Sequence, residues 1–456
     1  MTMSLLVVGH ANTGKTSLIR TLLRRHDFGE VNDQAGTTRH VESVDIEMAG
    51  QNILTLIDTP GFEDSIGLWE CRHQPPFNEL SGRDWLMAFC HSPLADNEFE
   101  QEAKILKQLT LTDIILYVID LRQAPLGKYL DELSLLASAN KPIIPILNFS
   151  ASPSSHHQAW RQILTERHLH AVVKYDSVAF YFEDEKRLYQ SLQSLMPDQY
   201  DALKALILAR EEAAQLRLSA AISLLAEWLT NAASFRSLCD QYPASNEQTN
   251  QFEEHIKALE NQYIQQLLKL YDFRPDDLVQ SQFHIQYDRW QQDMFDKEVL
   301  KEWGIETGTS ALTGAAIGAG IDMISAGLTL GTATSVGALL GAGWQTGKHY
   351  KDTIKSKLTK QYFLCLENST LTLLSLRGLD AIRHLHQRGH ASQQPFQLSK
   401  NHASDNAALR KLPFYWRQAK QHPNWYQADH PLKTEVEDTL TQALQSKLND
   451  DSSGLS

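Results

Sequence analysis

The chain has 456 residues and a formal net charge of −13. This length allows two or three domains with a core in each, and the acidic balance argues against nonspecific nucleic-acid binding as the main activity. Four scattered cysteines are typical of a reducing cytoplasm, and we expect no signal peptide, because a charge-free start leads directly into the first predicted strand.

The first predicted elements are a strand and a phosphate-binding loop. Residues 3–8 form an apolar run, residues 9–16 have the sequence Gly-His-Ala-Asn-Thr-Gly-Lys-Thr, and residues 17–23 have a helical pattern. This is the complete G-x-x-x-x-G-K-[ST] pattern in the strand–loop–helix context that a phosphate site requires. Backbone N–H groups of such a loop surround phosphate oxygens at the helix N-terminus. We expect Lys15 to reach the β- and γ-phosphates of a nucleoside triphosphate and the Thr16 hydroxyl to bind Mg²⁺.

Two further segments are predicted to complete the nucleotide site. An apolar strand over residues 53–57 leads into Asp58 and, three residues later, Gly61. A carboxylate at the end of a buried strand can hold Mg²⁺ through water, and a glycine just after it can offer its N–H to the γ-phosphate. The preceding loop contains Thr37 and Thr38. A threonine there could complete the Mg²⁺ shell only while the γ-phosphate is present, which would order the loop.

Together these segments resemble the TrmE–Era–EngA group of translation-factor-class GTPases over about residues 1–180. The resemblance implies a Ras-like α/β domain with a mostly parallel sheet, GTP and GDP as ligands, Mg²⁺ as cofactor and GTP hydrolysis as the reaction. It implies that Thr38 is the switch I magnesium ligand and that Gly61 contacts phosphate in switch II, which places both with Lys15 in the catalytic set. Asn12 matches a P-loop asparagine that in some members helps to bind K⁺ beside the phosphates. The expected nucleotide-binding set comprises Gly9, Asn12, Thr13, Gly14, Lys15, Thr16, Ser17, Asp58, Gly61 and Asn148.

The residue after Gly61 departs from the pattern of Ras-type proteins, which carry a water-positioning glutamine there. This chain has Phe62, which cannot orient water by hydrogen bonding. Either K⁺ bound at Asn12, or a group from elsewhere, substitutes for the glutamine, or intrinsic hydrolysis is slow.

The base-recognition motif departs from the family as well. The predicted strand over residues 142–147 should lead into Asn-Lys-x-Asp, but it leads into Asn-Phe-Ser-Ala. Asn148 fits the family position, whereas Ala151 occupies the place of the carboxylate that accepts hydrogen bonds from guanine. Residues 176–179 are a candidate for the last base-contacting loop. The preference for guanine therefore rests on the resemblance alone.

A long connection separates Gly61 from the next predicted strand, residues 114–120. Its aromatic residues predict a packed, enlarged switch II region, and long functional loops are often lids or partner surfaces. Two pairs within it, Cys71 with His73 and Cys90 with His91, have no common zinc spacing. Ordinary loop residues are therefore preferred to a zinc site.

From about residue 186 the pattern becomes helical. We predict a P-loop domain over residues 1–185 and an all-α domain over residues 186–456, with no second catalytic constellation. The predicted helices cover residues 201–235, 246–271, 287–303 and much of 356–388.

One segment of this second domain, residues 304–347, is rich in glycines spaced four apart, and Asp322 is the one charged residue between residues 307 and 347. Small residues at this spacing give a smooth helix face. The segment is predicted to form a glycine-zipper helical hairpin. It either enters or lies on a membrane, or packs as two close helices within the domain.

Three functions follow from these features. The first is a GTPase switch whose nucleotide state is read by the helical domain and an unknown protein effector. The second is a nucleotide-regulated protein that assembles homo-oligomers on a membrane surface, peripheral to or inserted in the inner membrane. The third is a ribosome or RNA assembly factor, which the acidic charge disfavours. The expected localisation is the cytoplasm, with the inner membrane as the alternative site.

Overall fold

The computed structural model describes residues 2–24, 41–150, 155–176, 182–239, 241–271, 293–303, 305, 320–325, 362–386 and 412–453. Two compact units are present, one up to Ala214 and the other from Gln215. The division falls inside a helix of 35 residues, Tyr200–Ser234. The predicted domain boundary at residue 185 stays a prediction.

The first unit is built on a six-stranded sheet of order β2-β3-β1-β4-β5-β6. All neighbouring strands are parallel except β2 and β3, which are antiparallel. The central strands β1, β4 and β5 are almost continuously apolar because helices cover both faces of the sheet. The strands are β1 (Met3–Val8), β2 (Glu42–Met48), β3 (Gln51–Asp58), β4 (Ile114–Asp120), β5 (Ile143–Asn148) and β6 (Val173–Lys174). This mixed, mostly parallel sheet confirms the predicted α/β class.

Helices form a core on each face of this sheet. One core joins the sheet to α1, α7 and the start of α8, and the other joins it to α2–α6. The predicted enlarged switch II region folds into α2, α3 and α4, and Trp85 and Phe89 of α3 are fully buried. The helices are α1 (Lys15–Leu23), α2 (Ser65–Arg72), α3 (Gly82–Cys90), α4 (Glu100–Leu109), α5 (Gly127–Ala137), α6 (His157–Glu166), α7 (Phe182–Leu195) and α8 (Tyr200–Ser234).

The second unit is largely helical, but the prediction of an all-α domain is wrong. It contains a three-stranded antiparallel sheet of order β7-β9-β8. These strands are three to five residues long, so they show too little alternation to be separated from helix by sequence pattern. The strands are β7 (Ser237–Cys239), β8 (Ile321–Ser325) and β9 (Tyr362–Leu366). The helices are α9 (Asn246–Leu270), α10 (Lys297–Glu302), α11 (Asn368–His386), α12 (Leu412–Gln421) and α13 (Pro431–Ser453).

The glycine-rich segment is described only in part. Asp322 lies in β8 and pairs with Cys365 of β9, so the predicted helical hairpin is wrong at this position. Ile321 and Met323 on either side of it favour a strand, since β-branched and apolar residues pack well on a pleated surface. Of residues 304–347, the structure describes Ile305 and residues 320–325. The others lie outside the described residues. Within the described part of the chain, no helix is both long and apolar enough to span a membrane.

Candidate functional site

The P-loop lies at the carboxyl edge of the sheet, where β1 ends and α1 begins. Gly14 immediately precedes α1 with φ of +89°, a left-handed conformation that glycine adopts without strain. A Cβ atom at Gly14 would lie 2.4 Å from the Asn148 Nδ2 atom. That amide donates a hydrogen bond to the Thr13 carbonyl oxygen over 2.9 Å. The strand β5 thus holds the P-loop from the side, and glycine is needed for this close approach.

Lys15 is buried beneath the loop that it belongs to. Its Nζ atom donates to the carbonyl oxygens of Gly9 over 3.2 Å and of His10 over 2.9 Å. Burial lowers the pKa of Lys15 to about 8, while the negative charges of Asp58 and Glu132 oppose the shift. An anion bound in the loop would therefore compensate for the charge of a buried ammonium group.

Thr16 and Asp58 form the predicted magnesium pair. The Thr16 hydroxyl donates to Asp58 Oδ2 over 2.6 Å. Burial raises the pKa of Asp58 to about 6, against the opposing effects of this hydrogen bond and the Lys15 charge. Within the described residues, the buried Asp58 Oδ1 atom has no hydrogen-bond partner. A buried carboxylate oxygen of this kind beside a hydroxyl oxygen fits the hard oxygen ligands that Mg²⁺ prefers.

The segment that follows β3 is pressed against the P-loop. A Cβ atom at Gly61 would lie 2.6 Å from both the N and Cα atoms of Ala11. The Phe62 N–H donates to the Gly9 carbonyl oxygen over 3.2 Å, and the Phe62 side chain is fully buried. Phe62 is therefore a core residue, which explains why it cannot act as the water-positioning glutamine of Ras-type proteins.

A carboxylate from the enlarged switch II region, which no sequence motif marks, anchors this segment. Glu102 Oε1 accepts from the backbone N–H of Glu63 over 2.9 Å and of Asp64 over 2.8 Å. Ser65, the first residue of α2, donates to the Lys128 carbonyl oxygen of α5 over 2.9 Å. Glu102 lies on an amphipathic helix with other acidic residues, so no local pattern distinguishes it.

A second group that the motifs do not mark surrounds His10, the second residue of the P-loop. His10 Nδ1 lies 2.8 Å from Glu132 Oε1, and the Tyr117 hydroxyl donates to Glu132 Oε2 over 2.7 Å. The Lys128 ammonium group donates to His10 Nε2 over 2.8 Å, which assigns the ring hydrogen to Nδ1. Burial raises the pKa of Tyr117 well above its usual value, and the negative charge of Glu132 is the second largest cause. A tyrosine within an otherwise aliphatic central strand was the signal that could have indicated this network.

The base-recognition end of the site has an aromatic residue where the family motif has lysine. Phe149 is half-buried, with φ of +56°, and the Cζ atom of Arg122 lies 3.8 Å from the centre of its ring. Asp120 accepts from Arg122 Nε over 2.9 Å and from Nη2 over 2.8 Å. Two residues after β6, Asp176 Oδ2 accepts from the Ser150 hydroxyl over 3.4 Å.

Of the predicted site residues, all but the switch I threonines are brought together at one edge of the sheet. Thr37 and Thr38 of the predicted switch I loop lie outside the described residues. Asn12 is exposed, with φ of +62°. Among the described residues, no group of three or more His, Cys, Asp or Glu side chains could hold a metal ion. The residues that come together are Gly9, Asn12, Thr13, Gly14, Lys15, Thr16, Ser17, Asp58, Gly61 and Asn148.

Two family models match the chain. Residues 4–149 match the family described as 50S ribosome-binding GTPase, and residues 161–449 match the domain of unknown function DUF3482. The predicted resemblance to TrmE–Era–EngA GTPases is thereby confirmed.

Among curated proteins, the chain is 41% identical over 68 residues to tRNA modification GTPase MnmE of Rhizobium meliloti, covering 15% of each protein. It is 26% identical over 155 residues to GTPase Der of Campylobacter concisus, covering 34% of this chain and 27% of that protein. The chain thus spans less than a third of the length of either relative. Among solved structures, Aquifex aeolicus Era bound to GDP and aluminium fluoride matches with a TM-score of 0.32 and 20% identity, covering 43% of this chain and 57% of Era.

Proposed function

Because the chain belongs to the DUF3482 family and carries a TrmE/Era/EngA-type GTPase domain, we propose that it is a nucleotide switch read by its C-terminal domain. A P-loop GTPase domain of this family implies GTP hydrolysis, and the family typically uses Mg²⁺. The observation that carries the proposal for this chain is the Thr16–Asp58 contact, 2.6 Å long, beside the buried Lys15.

Each residue of this group has a separate task in the proposal. The Lys15 ammonium group contacts the β- and γ-phosphates, and the N–H groups of the loop orient these phosphates. Thr16 would hold Mg²⁺ with its hydroxyl oxygen and Asp58 would hold it through water, with Thr38 as a further ligand implied by the family resemblance. The metal ion, when bound, neutralises charge that develops on the phosphate oxygens.

The Gly61–Asp64 region is the proposed reporter of nucleotide state. It is held by Ala11 and Gly9 of the P-loop on one side and by Glu102 of α4 on the other. A γ-phosphate that accepts from the Gly61 N–H would favour one position of this segment, and loss of the γ-phosphate would remove that preference. The helices α2 and α4 would then move with it, and the C-terminal domain and an effector would respond.

Asn12 is the proposed K⁺ ligand, and its exposed position on the P-loop supports this role. K⁺ held there would supply positive charge beside the phosphates, in a chain whose Phe62 cannot orient the attacking water. Phosphate release measured in KCl and in NaCl tests this part. Faster release in KCl that is lost in Asn12→Ala supports it, whereas equal rates in both salts contradict it.

The test of the proposed function is Mg²⁺-dependent release of phosphate from GTP by the full chain. We expect release by the wild-type chain and none by Lys15→Ala, because the substrate phosphates lose their buried cation. The matched control is Lys107→Ala, which removes an exposed lysine of α4 and should leave the rate unchanged. Equal rates in wild type and Lys15→Ala would contradict the proposal.

A second candidate is a ribosome assembly factor, which is favoured by the description of the N-terminal family as ribosome-binding. The net charge of −13 disfavours it, since RNA binding relies on positive charge. Cosedimentation with 50S subunits in the presence of a GTP analogue, and its absence with GDP, would support this role. No cosedimentation with either nucleotide would remove it.

A further inference from the structure

A carboxylate lies beside the base-recognition loop although this chain has none at the position where the family motif has one. The family motif places its carboxylate three residues after the asparagine, where this chain has Ala151. The neighbouring strand β6 runs parallel to β5, with the Tyr175 N–H donating to the Leu147 carbonyl oxygen over 3.2 Å. Asp176 follows directly. The end of β6 thus brings an acidic side chain to the edge where β5 delivers Asn148.

The contact with Ser150 gives the position of this carboxylate. The Ser150 hydroxyl, one residue before Ala151, lies 3.4 Å from Asp176 Oδ2. Asp176 is only 3% exposed, so its oxygens accept from hydrogen-bond donors rather than from bulk water. Guanine presents two adjacent donors, N1–H and the 2-amino group, which a carboxylate can accept together. Adenine presents no such pair of donors on that edge.

Phe149 places an aromatic ring at the same end of the site. In the family motif this position is lysine, whereas here an aromatic ring lies beside the P-loop, with Phe149 Cζ 3.3 Å from the Cβ position of Gly14. Arg122 covers one face of the ring and is itself fixed by two hydrogen bonds to Asp120. A ring held in place this way is a stacking surface for a planar base, with little conformational entropy left to lose on binding.

We propose that base recognition in this chain is rebuilt from two strands, with Asp176 accepting from the guanine edge and Phe149 stacking on the base. This inference rests on the proposed function, because it requires a nucleotide held at the P-loop. Asp176 determines which purine is preferred, and Phe149 contributes affinity for purines in general.

The first test needs no variant. Equilibrium binding of GDP, IDP, XDP and ADP to the full chain, with Mg²⁺, compares bases on the same diphosphate. IDP lacks only the 2-amino group of GDP, and a hydrogen bond from that group to a charged acceptor predicts that GDP binds about 10- to 100-fold more tightly. Equal affinity for GDP and IDP would overturn the proposal.

The second test exchanges one atom of the carboxylate. Asp176→Asn keeps the shape of the side chain but adds a donor, which clashes with the guanine 2-amino group and matches the xanthine 2-oxo group. We expect the ratio of GDP to XDP affinity to fall by at least about 10-fold. The charge-matched control is Asp184→Asn, since Asp184 is a neighbouring buried carboxylate whose pKa is raised by burial and further by Asp176. An unchanged ratio in Asp176→Asn, or the same change in Asp184→Asn, would overturn the assignment.

Phe149→Leu tests the stacking surface separately. It keeps an apolar side chain but removes the ring, and we expect GDP and XDP affinities to fall together by about 10-fold. Unchanged affinities would overturn this part. If no nucleoside diphosphate binds the wild-type chain, the proposed function itself fails. Binding of all four with equal affinity refutes only the rebuilt base site.

Discussion

His10 Nδ1 lies 2.8 Å from Oε1 of Glu132, a residue 122 positions later whose side chain has no solvent exposure. The second residue of the P-loop is thereby tied to α5. The other ring nitrogen of His10 accepts from Lys128, whose carbonyl oxygen accepts from Ser65 at the start of α2. The P-loop and the switch II helix consequently share one support, and disturbance of α5 should affect both.

Replacement of Glu132 tests this support. Glu132→Leu removes the acceptor for His10 and Tyr117, and it leaves the buried Tyr117 hydroxyl and the half-buried His10 ring N–H without an acceptor. We expect the free energy of unfolding to fall by about 3 kcal/mol. Urea denaturation of the full chain, monitored with a spectroscopic probe in the N-terminal unit, measures this free energy. Glu79→Leu, at an exposed position, is the control and should change little. Equal stabilities of the two variants would contradict the structural role.

Asp58→Asn tests the magnesium pair. The substitution retains an acceptor for Thr16 but removes the charge that would attract the metal ion. We expect the Mg²⁺ affinity of the nucleotide complex to fall by about 10- to 100-fold. Nucleotide binding titrated against Mg²⁺ measures this. Asp113→Asn is the control, because Asp113 accepts from Ser4 at the far end of β1. Unaltered Mg²⁺ dependence in Asp58→Asn would rule out this pair.

Gly61→Ala tests the close contact with the P-loop. A methyl group there would overlap the Ala11 backbone, so the segment must shift away from the phosphates. A misplacement of this size predicts a loss of about 100-fold in the rate of GTP hydrolysis. The matched control is Gly127→Ala at the start of α5, where a Cβ atom would have no neighbour within 4 Å. Similar hydrolysis rates in the two variants would show that the contact is unimportant.

The two shifted pKa values predict a pH profile for nucleotide affinity. Lys15 must be protonated to hold phosphate, so affinity falls as the pH rises through its pKa of about 8. Asp58 must be ionised to hold Mg²⁺, so affinity falls as the pH decreases through its pKa of about 6. We expect a maximum of Mg²⁺–GDP affinity between these values. Lys15→Arg should move the alkaline decline upward, because arginine stays charged. A flat profile would contradict both assignments.

Local patterns were sufficient to predict that Lys15, Thr16, Asp58 and Gly61 lie close together, whereas contacts made by residues outside the motifs were not predictable. Lys15, Thr16, Asp58 and Gly61 belong to short motifs that follow buried strands, and strand ends in parallel sheets meet at one edge. Glu102 and the partners of His10 act across long sequence separations, and no motif marks them.

The fold shows the same division between long patterns and short ones. The α/β sheet could be predicted from long apolar strands between helices, and so could the helical nature of most of the second unit. The short strands β7, β8 and β9 could not, because β8 has five residues within a glycine-rich segment and pairs with a strand far along the chain. A window of that length fits strand and helix equally well.

The proposed switch requires that the P-loop binds Mg²⁺–GTP through Lys15. Isothermal titration of the full chain with a nonhydrolysable GTP analogue, with Mg²⁺ present, tests it most directly. We expect one site per wild-type chain and an affinity at least about 100-fold weaker in Lys15→Ala, because a charge-assisted contact to the phosphates is lost. Wild-type affinity in Lys15→Ala, or no binding by the wild-type chain, would contradict it.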